Sequence, residues 1–338
     1  MAASYQTGIS SSPTNLLQTL VTWLTNQGWT MDMSQADGAG WRAHLNKSGV
    51  YVNLRSAMNE KIWHKTTGDW DRALGYGIGL YLGTGHDGGE SWVDQPGRPL
   101  RTDNPPSTSG CGMNLPAGSV AGYHFFDDGL DNIIVVVERS PGVFVHMGWG
   151  LRLVDMGTPE DFPYFFASSS AYRNTDPNPG QSLPGINETA RVPFARLAHT
   201  PPSDYQSHAG GFVRVDAATF SGRWVADCTD DEASDGYTGR FMDGPLNMNN
   251  YNTTTQQQHP DYALYIGRTT QTAFAGALLL PMHLFGLTDP GARWAPLGYP
   301  PNIFWCEAVG AGYAPGEILQ VGGLDYMLFP NFAVLKAA

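Results

Sequence analysis

The chain has 338 residues, of which 41% are hydrophobic and 12% aromatic, enough to bury a substantial core as one large domain or two ordinary ones. Only 15% are charged, the formal net charge is −12, and lysine occurs only at Lys47, Lys61, Lys65 and Lys336. No basic stripe is available to neutralise phosphates, so direct nucleic-acid binding is not expected. The 41 glycines and 24 prolines predict short strands joined by many turns.

The segment Met1 to Gly8 has neither a cationic nor an apolar stretch, so no secretory signal is expected there. Ser12 before Pro13 is the pattern of a helix start, a serine N-cap followed by proline at the first helical position. Leu16, Leu17, Leu20, Val21 and Leu24 recur at helical spacing and Gly28 supplies a stop, which predicts an amphipathic helix over 13–26. Its apolar stripe is expected to pack on a mixed or antiparallel sheet built from Gly40 to Leu45, Val50 to Leu54 and Gly77 to Leu82. Ser91 to Gly118 reads as loop, punctuated by Asp94-Gln95-Pro96-Gly97 and by proline and serine from Asn104 to Gly110.

The sheet resumes at Ala121 to Phe126, turns at Asp127-Asp128-Gly129, and enters the most diagnostic stretch of the chain. Asn132 to Glu138 is an unbroken apolar run, followed by a Ser140-Pro141-Gly142 turn and a second β-branched and aromatic run from Val143 to Val154. Together they predict a long hairpin whose first strand is covered on both faces. Phe162 to Phe166 adds a further aromatic strand, and a proline-rich polar stretch runs from Thr175 to Glu188. Asn247 to Gln258 lies in a polar interval that has little to bury and reads as an exposed arm. Phe274 to Leu287 is apolar but too short for a membrane span and broken by Pro281 and His283, so no membrane insertion is expected. Pro315 to Phe329 predicts a C-terminal β-hairpin across Gly322-Gly323.

The fold class expected from these elements is α+β and sheet-dominated, with long loops. The domain reading is a main sheet domain over 1–226, an extended polar loop or arm over 227–260, and a β-rich segment over 261–338 that packs back on the main domain.

Chemical motifs are few. Gly75-Tyr76-Gly77-Ile78-Gly79 lacks the third glycine of a dinucleotide loop and leads into strand-like residues, so its glycines are better read as permitting close strand packing. His44, His64, His86, His124 and His146 show none of the spacings that place two ligands on one helix face or turn, and no metal or other cofactor is expected. His124 and His146 lie in aromatic strands and read as core or interface histidines. The acidic run Asp227 to Gly236 fails the EF-hand pattern, since Ala233 and Met242 fall where ligands are required from Asp231. An irregular calcium site built from Asp230, Asp231 and Asp235 is the alternative to a solvated acidic turn. Ser119 lies between Ala117 and Ala121 where a nucleophile elbow needs glycines. Asp127, Asp128, Asp131 and Glu138 cluster near aromatics, a combination that also serves sugar cleavage, against the simpler reading of a hairpin turn. Cys111, Cys228 and Cys306 are odd in number and far apart, so a disulfide framework is not expected.

Several segments, taken in order, resemble a family of virion structural proteins of tailed bacteriophages, found among tail and neck components. They are the helix ending at Gln27-Gly28-Trp29; Val50 to Asn59, followed by Trp70 and Gly75-Tyr76-Gly77; Ser91 to Gly97; Ile133 to Val137 with Val143 to Gly148; Gly157 to Tyr164; and Leu324 to Asn331. The chain departs from that pattern after Tyr164, where Phe165 to Ser170 replaces a glycine-ended strand. The resemblance implies no catalytic residues. It implies assembly with other virion proteins and with copies of itself in a symmetric particle, assembled in the host cytoplasm, with the tail or baseplate as the expected location.

Few charges and many aromatics suit a subunit whose surfaces are buried by neighbours, because aromatic anchors add contact area whereas charges would need desolvation. The candidate contact residues are Trp63, Trp70, Trp92, Pro96, Tyr164, Tyr172, Tyr251 and Trp294, each weighed against a role as a core filler. Trp149 and Trp224 are assigned to the core. The rival expectations are a host-surface carbohydrate binder or depolymerase using the Asp127 cluster, and a neck collar or capsid decoration protein.

Overall fold

A computed structural model describes residues 3–60, 75–99, 110–154, 163–170, 210–215, 223–227, 238–241, 279–281, 284–287, 294–306, 308–309, 312–330 and 332–336. In chain order, β1 (Ser4–Ser10) leads into α1 (Pro13–Asn26), followed by β2 (Thr30–Asp37), β3 (Gly40–Lys47), β4 (Val50–Glu60), β5 (Gly75–Gly83) and β6 (Cys111–Asn114). Next come β7 (Val120–Asp127), β8 (Ile133–Ser140), β9 (Val143–Gly150), β10 (Tyr164–Ala167), β11 (Ser169–Ser170), β12 (Gly210–Val215), β13 (Arg223–Asp227) and β14 (Thr238–Phe241). The described chain closes with β15 (Leu280–Pro281), β16 (Leu284–Leu287), β17 (Trp294–Gly298), β18 (Ile303–Trp305), β19 (Ile318–Val321), β20 (Leu324–Phe329) and β21 (Phe332–Lys336).

The fold is dominated by strands, which form three sheets among the described residues. One has ten strands in the order β1-β7-β8-β9-β10-β12-β13-β14-β16-β17, one has six in the order β11-β6-β5-β4-β3-β2, and one has five in the order β15-β18-β21-β20-β19. Pairing is antiparallel except between β13 and β14. The ten-stranded sheet therefore crosses both of the expected boundaries, at 226 and at 260. The interval read as an exposed arm contributes β14, paired with β13 and β16.

α1 begins where the sequence places it. The Ser12 hydroxyl accepts a hydrogen bond from the Asn15 N–H at 3.1 Å, and the Asn15 side-chain oxygen accepts from the N–H of Ser11, the residue before the cap, at 3.2 Å. Leu16, Leu17, Leu20, Val21, Trp23 and Leu24 are buried. They join Leu45, Val52, Leu54, Leu80 and Leu82 of the six-stranded sheet and Phe125, Val135, Met147 and Trp149 of the ten-stranded sheet in one core.

Ile133, Ile134, Val135, Val136 and Val137 are all fully buried, as the apolar run predicts. The odd-numbered residues face the helix-side core. The opposite face of the same sheet carries Phe126, Phe144, His146 and Phe166, and is closed by Phe329 and Phe332 of the five-stranded sheet. Strand β8 is thus the middle of three layers, which is why its side chains do not alternate with polar ones. At the end of β9, a Cβ on Gly150 would collide with Tyr164 and Asn132, so glycine there lets the strands approach closely enough to bond those two side chains.

Candidate functional site

Open sheet edges are the surfaces best equipped for contact. Among the described residues β1, β2 and β19 each end a sheet, and each carries an exposed apolar side chain: Ile9 at 78%, Met31 at 49%, and Ile318 and Val321 at 38% and 40%. Edge strands present unpaired backbone donors and acceptors, and proteins that do not use them usually protect them with lysine or proline. None of these three strands contains either residue. The expected C-terminal hairpin is present, with β19 and β20 joined by Gly322 and Gly323 at φ +62° and +83°. Two successive positive φ angles are the requirement of a tight primed turn, and glycine meets it without strain.

The exposed side of α1 is uncharged. Thr19 and Thr22 donate their hydroxyls back to the Asn15 and Gln18 carbonyls at 2.8 and 2.9 Å, so the helix needs little desolvation to be covered.

The acidic cluster is locked into a turn. Asp127 accepts from the Gly129 N–H at 2.7 Å; Asp128 accepts from the Leu130 N–H at 2.8 Å and from the Asn132 side-chain amide at 2.7 Å. Burial raises the pKa of both carboxyls. Asp131, at φ +69°, pairs with the Lys47 ammonium at 2.7 Å and accepts from the Ser48 hydroxyl at 2.7 Å. Burial pushes its carboxyl up, but those two partners hold it below the usual range. Lys47 also donates to the Gln27 carbonyl at 2.9 Å, so this turn staples the helix end to both sheets. Glu138 accepts from the Gly142 N–H at 2.8 Å within its own hairpin turn. The carboxylates considered for sugar chemistry are therefore all engaged in holding turns.

A second polar group lies beneath the segment 84–97, which folds over the outer face of β3, β4 and β5. His44 and Asn53, opposite each other on β3 and β4, are buried and hydrogen-bonded at 2.6 Å. The ring of His86 lies 4.7 Å from that of His44. Gln95, fully buried, accepts from the Asp87 N–H at 2.8 Å and donates to the Asp87 and Ser91 carbonyls, fixing the segment. Burial, with the neighbouring His86, pushes the His44 pKa down to about 4 despite the bond to Asn53. Beside them Arg55, 1% exposed, pairs with Asp37 and Glu60, each at 2.8 Å. Among the described residues, no three His, Cys, Asp or Glu side chains are grouped to hold a metal.

The expected contact residues separate. Trp92 is 2% exposed, its ring against Tyr81, and its carbonyl accepts the Tyr81 hydroxyl. Tyr164 is fully buried and donates to Asn132 at 3.0 Å. Both are core residues of the chain itself, which corrects their placement at the surface; the sequence shows that an aromatic ring is there but not which way a short turn or strand directs it. Pro96 is exposed. Trp294 lies in β17, paired with Leu287. Trp63, Trp70, Tyr172 and Tyr251 lie outside the described residues, as do Asp230, Asp231 and Asp235 of the calcium reading. Trp149, assigned to the core, is fully buried, and Trp224 lies in β13.

Sequence reasoning missed Ile9 and Met31. Neither β1 nor β2 alternates cleanly, and the faint signal was an isolated apolar residue within a polar, β-compatible stretch. No helix among the described residues is long and apolar enough to cross a membrane. No family model matches the chain, and no curated protein matches it.

Proposed function

We propose that this chain is a non-enzymatic structural subunit of a tailed-bacteriophage virion, associated with the tail or baseplate, acting through protein–protein interfaces with other virion proteins and with copies of itself. On this reading it is an α+β, sheet-dominated building block assembled in the host cytoplasm. The observation that carries the reading is the set of three sheet edges among the described residues that lack lysine and proline and carry exposed apolar side chains. The ordered resemblance of its segments to virion structural proteins adds the phage context, and the low charge content makes extensive burial inexpensive.

The test is to purify particles of the phage that encodes the chain, look for it by mass spectrometry, and locate it by high-resolution imaging. Stoichiometric presence in the tail, with β1, β2 or β19 covered by a neighbour, is the expected result. Absence from finished particles, or turnover of host polysaccharide by the purified chain, would overturn it.

A further inference from the structure

We propose that β19 is a homotypic docking edge: two copies of the chain pair their β19 strands antiparallel across a two-fold axis through Leu319, joining their five-stranded sheets into one. The inference rests on the structural-subunit reading and adds to it a particular edge, register and partner.

Register within the hairpin decides which groups are available. Val321 pairs with Leu324 across the two-residue turn, Leu319 with Tyr326, and the Leu328 N–H donates to the Glu317 carbonyl at 2.9 Å. In such a hairpin the pair flanking the turn exchanges hydrogen bonds and the pattern repeats every second residue. The Glu317 carbonyl and the backbone groups of Leu319 and Val321 therefore point toward β20, while Ile318 and Gln320 direct theirs outward. A two-fold axis through Leu319 places Ile318 opposite Gln320 of the second copy, and Gln320 opposite its Ile318. Both pairs are then outward-facing on both strands, and each can exchange two backbone hydrogen bonds. Centring the axis on Gln320 would instead pair Ile318 with Gly322 inside the turn, where the strand has ended.

Charge selects a second copy of the chain as the occupant. The whole molecule carries a net charge of −12, so arbitrary self-contact is repulsive. The strip from Gly312 to Leu324 carries one charged side chain, Glu317, whose carboxylate accepts from the Ala314 N–H at 3.0 Å. In the proposed register Glu317 lies opposite Val321 of the second copy, Leu319 meets Leu319, and no carboxylates face each other. The apolar side chains of Ile318, Val321 and Leu324, 38 to 47% exposed in the single subunit, lie along or beside this seam.

Leu319→Cys, made with Cys228→Ser so that the remaining native thiols are the buried Cys111 and Cys306, tests the geometry directly. Residues opposed in a non-hydrogen-bonded antiparallel pair lie about 4.5 Å apart between Cα atoms, within disulfide reach. The variant is expected to form a disulfide dimer on mild oxidation. If Leu319→Cys does not fold, Ile318→Cys combined with Gln320→Cys gives the same product from exposed positions. Light scattering at about 100 μM is expected to show a dimer for the native chain, with association weakened at least about tenfold by Ile318→Lys, a charge of the kind that normally guards an edge.

A native chain that is monomeric at that concentration and does not cross-link would overturn the proposal. So would cross-linking of Leu319→Cys in purified particles to a different protein and never to itself. Either result leaves the subunit reading standing if the chain is present in particles. A cross-linked dimer of a chain absent from particles would keep the seam and remove the subunit reading.

Discussion

His146 gives the sharpest test of the buried architecture. Its ring is 1% exposed, packs at 6.0 Å from Phe166 and 5.3 Å from Phe332, and neither ring nitrogen makes a hydrogen bond. Burial alone pushes its pKa down to about 3, against 6.5 for an exposed histidine. The folded protein therefore holds this ring neutral while the unfolded chain takes up a proton below pH ~6.5. Stability from this residue is complete above that pH and is lost progressively as pH falls toward 3. At about pH 4.5, roughly two units below the unfolded pKa and still above the folded one, the loss is about 3 kcal/mol. His44, with its pKa near 4, adds a loss of similar size in the same direction. Asp127 and Asp128, whose pKa values are raised, act in the opposite direction by binding protons more readily when folded. Urea denaturation at about pH 7 and pH 4.5 measures the difference. His146→Leu should shrink the drop in unfolding free energy between the two by about 3 kcal/mol, and should not destabilise the protein at neutral pH, since it removes two unsatisfied buried nitrogens. A variant that shows the native pH drop would refute the reasoning, as would an imidazole resonance for His146 titrating near pH 6.5.

Ser12→Ala removes the side-chain cap of α1 and should cost about 1 kcal/mol in thermal denaturation, with a rescue by Ser12→Asp. Asp131→Asn keeps a residue type that tolerates positive φ but breaks the ion pair with Lys47. It should cost roughly 0.5–1 kcal/mol at neutral pH, a deficit that closes as pH falls through the depressed pKa of Asp131 and its carboxylate is neutralised. Gly323→Val places a β-branched residue at φ +83° and should destabilise the hairpin by about 1–2 kcal/mol. Faster amide exchange confined to β19 and β20 is the expected readout, and unchanged exchange would count against the turn geometry. Tyr164→Phe leaves Asn132 without the hydroxyl it accepts from, at a cost of about 1 kcal/mol in chemical denaturation.

The elements legible in the sequence were those specified by neighbours along the chain. Ser12-Pro13 and Gly28 bracket α1, and Gly322-Gly323 sets the C-terminal hairpin with residues close in sequence. The uniform burial of Ile133 to Val137 was legible because a strand covered on both faces has no reason to alternate. β1 was not legible, because it is defined by pairing with β7, more than a hundred residues away, as Tyr5 to Phe126 and Thr7 to His124. β6 was lost inside a proline- and serine-rich interval for the same reason, its register being set by β5. Composition led to the expectation of surfaces covered by neighbours but gave no address for them. Aromatic residues were the natural guess, yet Trp92 and Tyr164 fill the chain's own core, and most of the exposed large apolar side chains among the described residues are aliphatic, such as Ile9 and Ile318. Hydropathy alone cannot distinguish a ring that plugs a layer from one that meets a partner; only the strand order does.

Phe329 and Phe332 follow Phe144 and His146 by a long stretch of chain, yet they cover the strands that carry them, which are made much earlier on the ribosome. Until these two rings emerge, a broad aromatic face of the nascent polypeptide is wet and adhesive. Closure of that face therefore waits on β20 and β21, so a product truncated before them would be expected to clump.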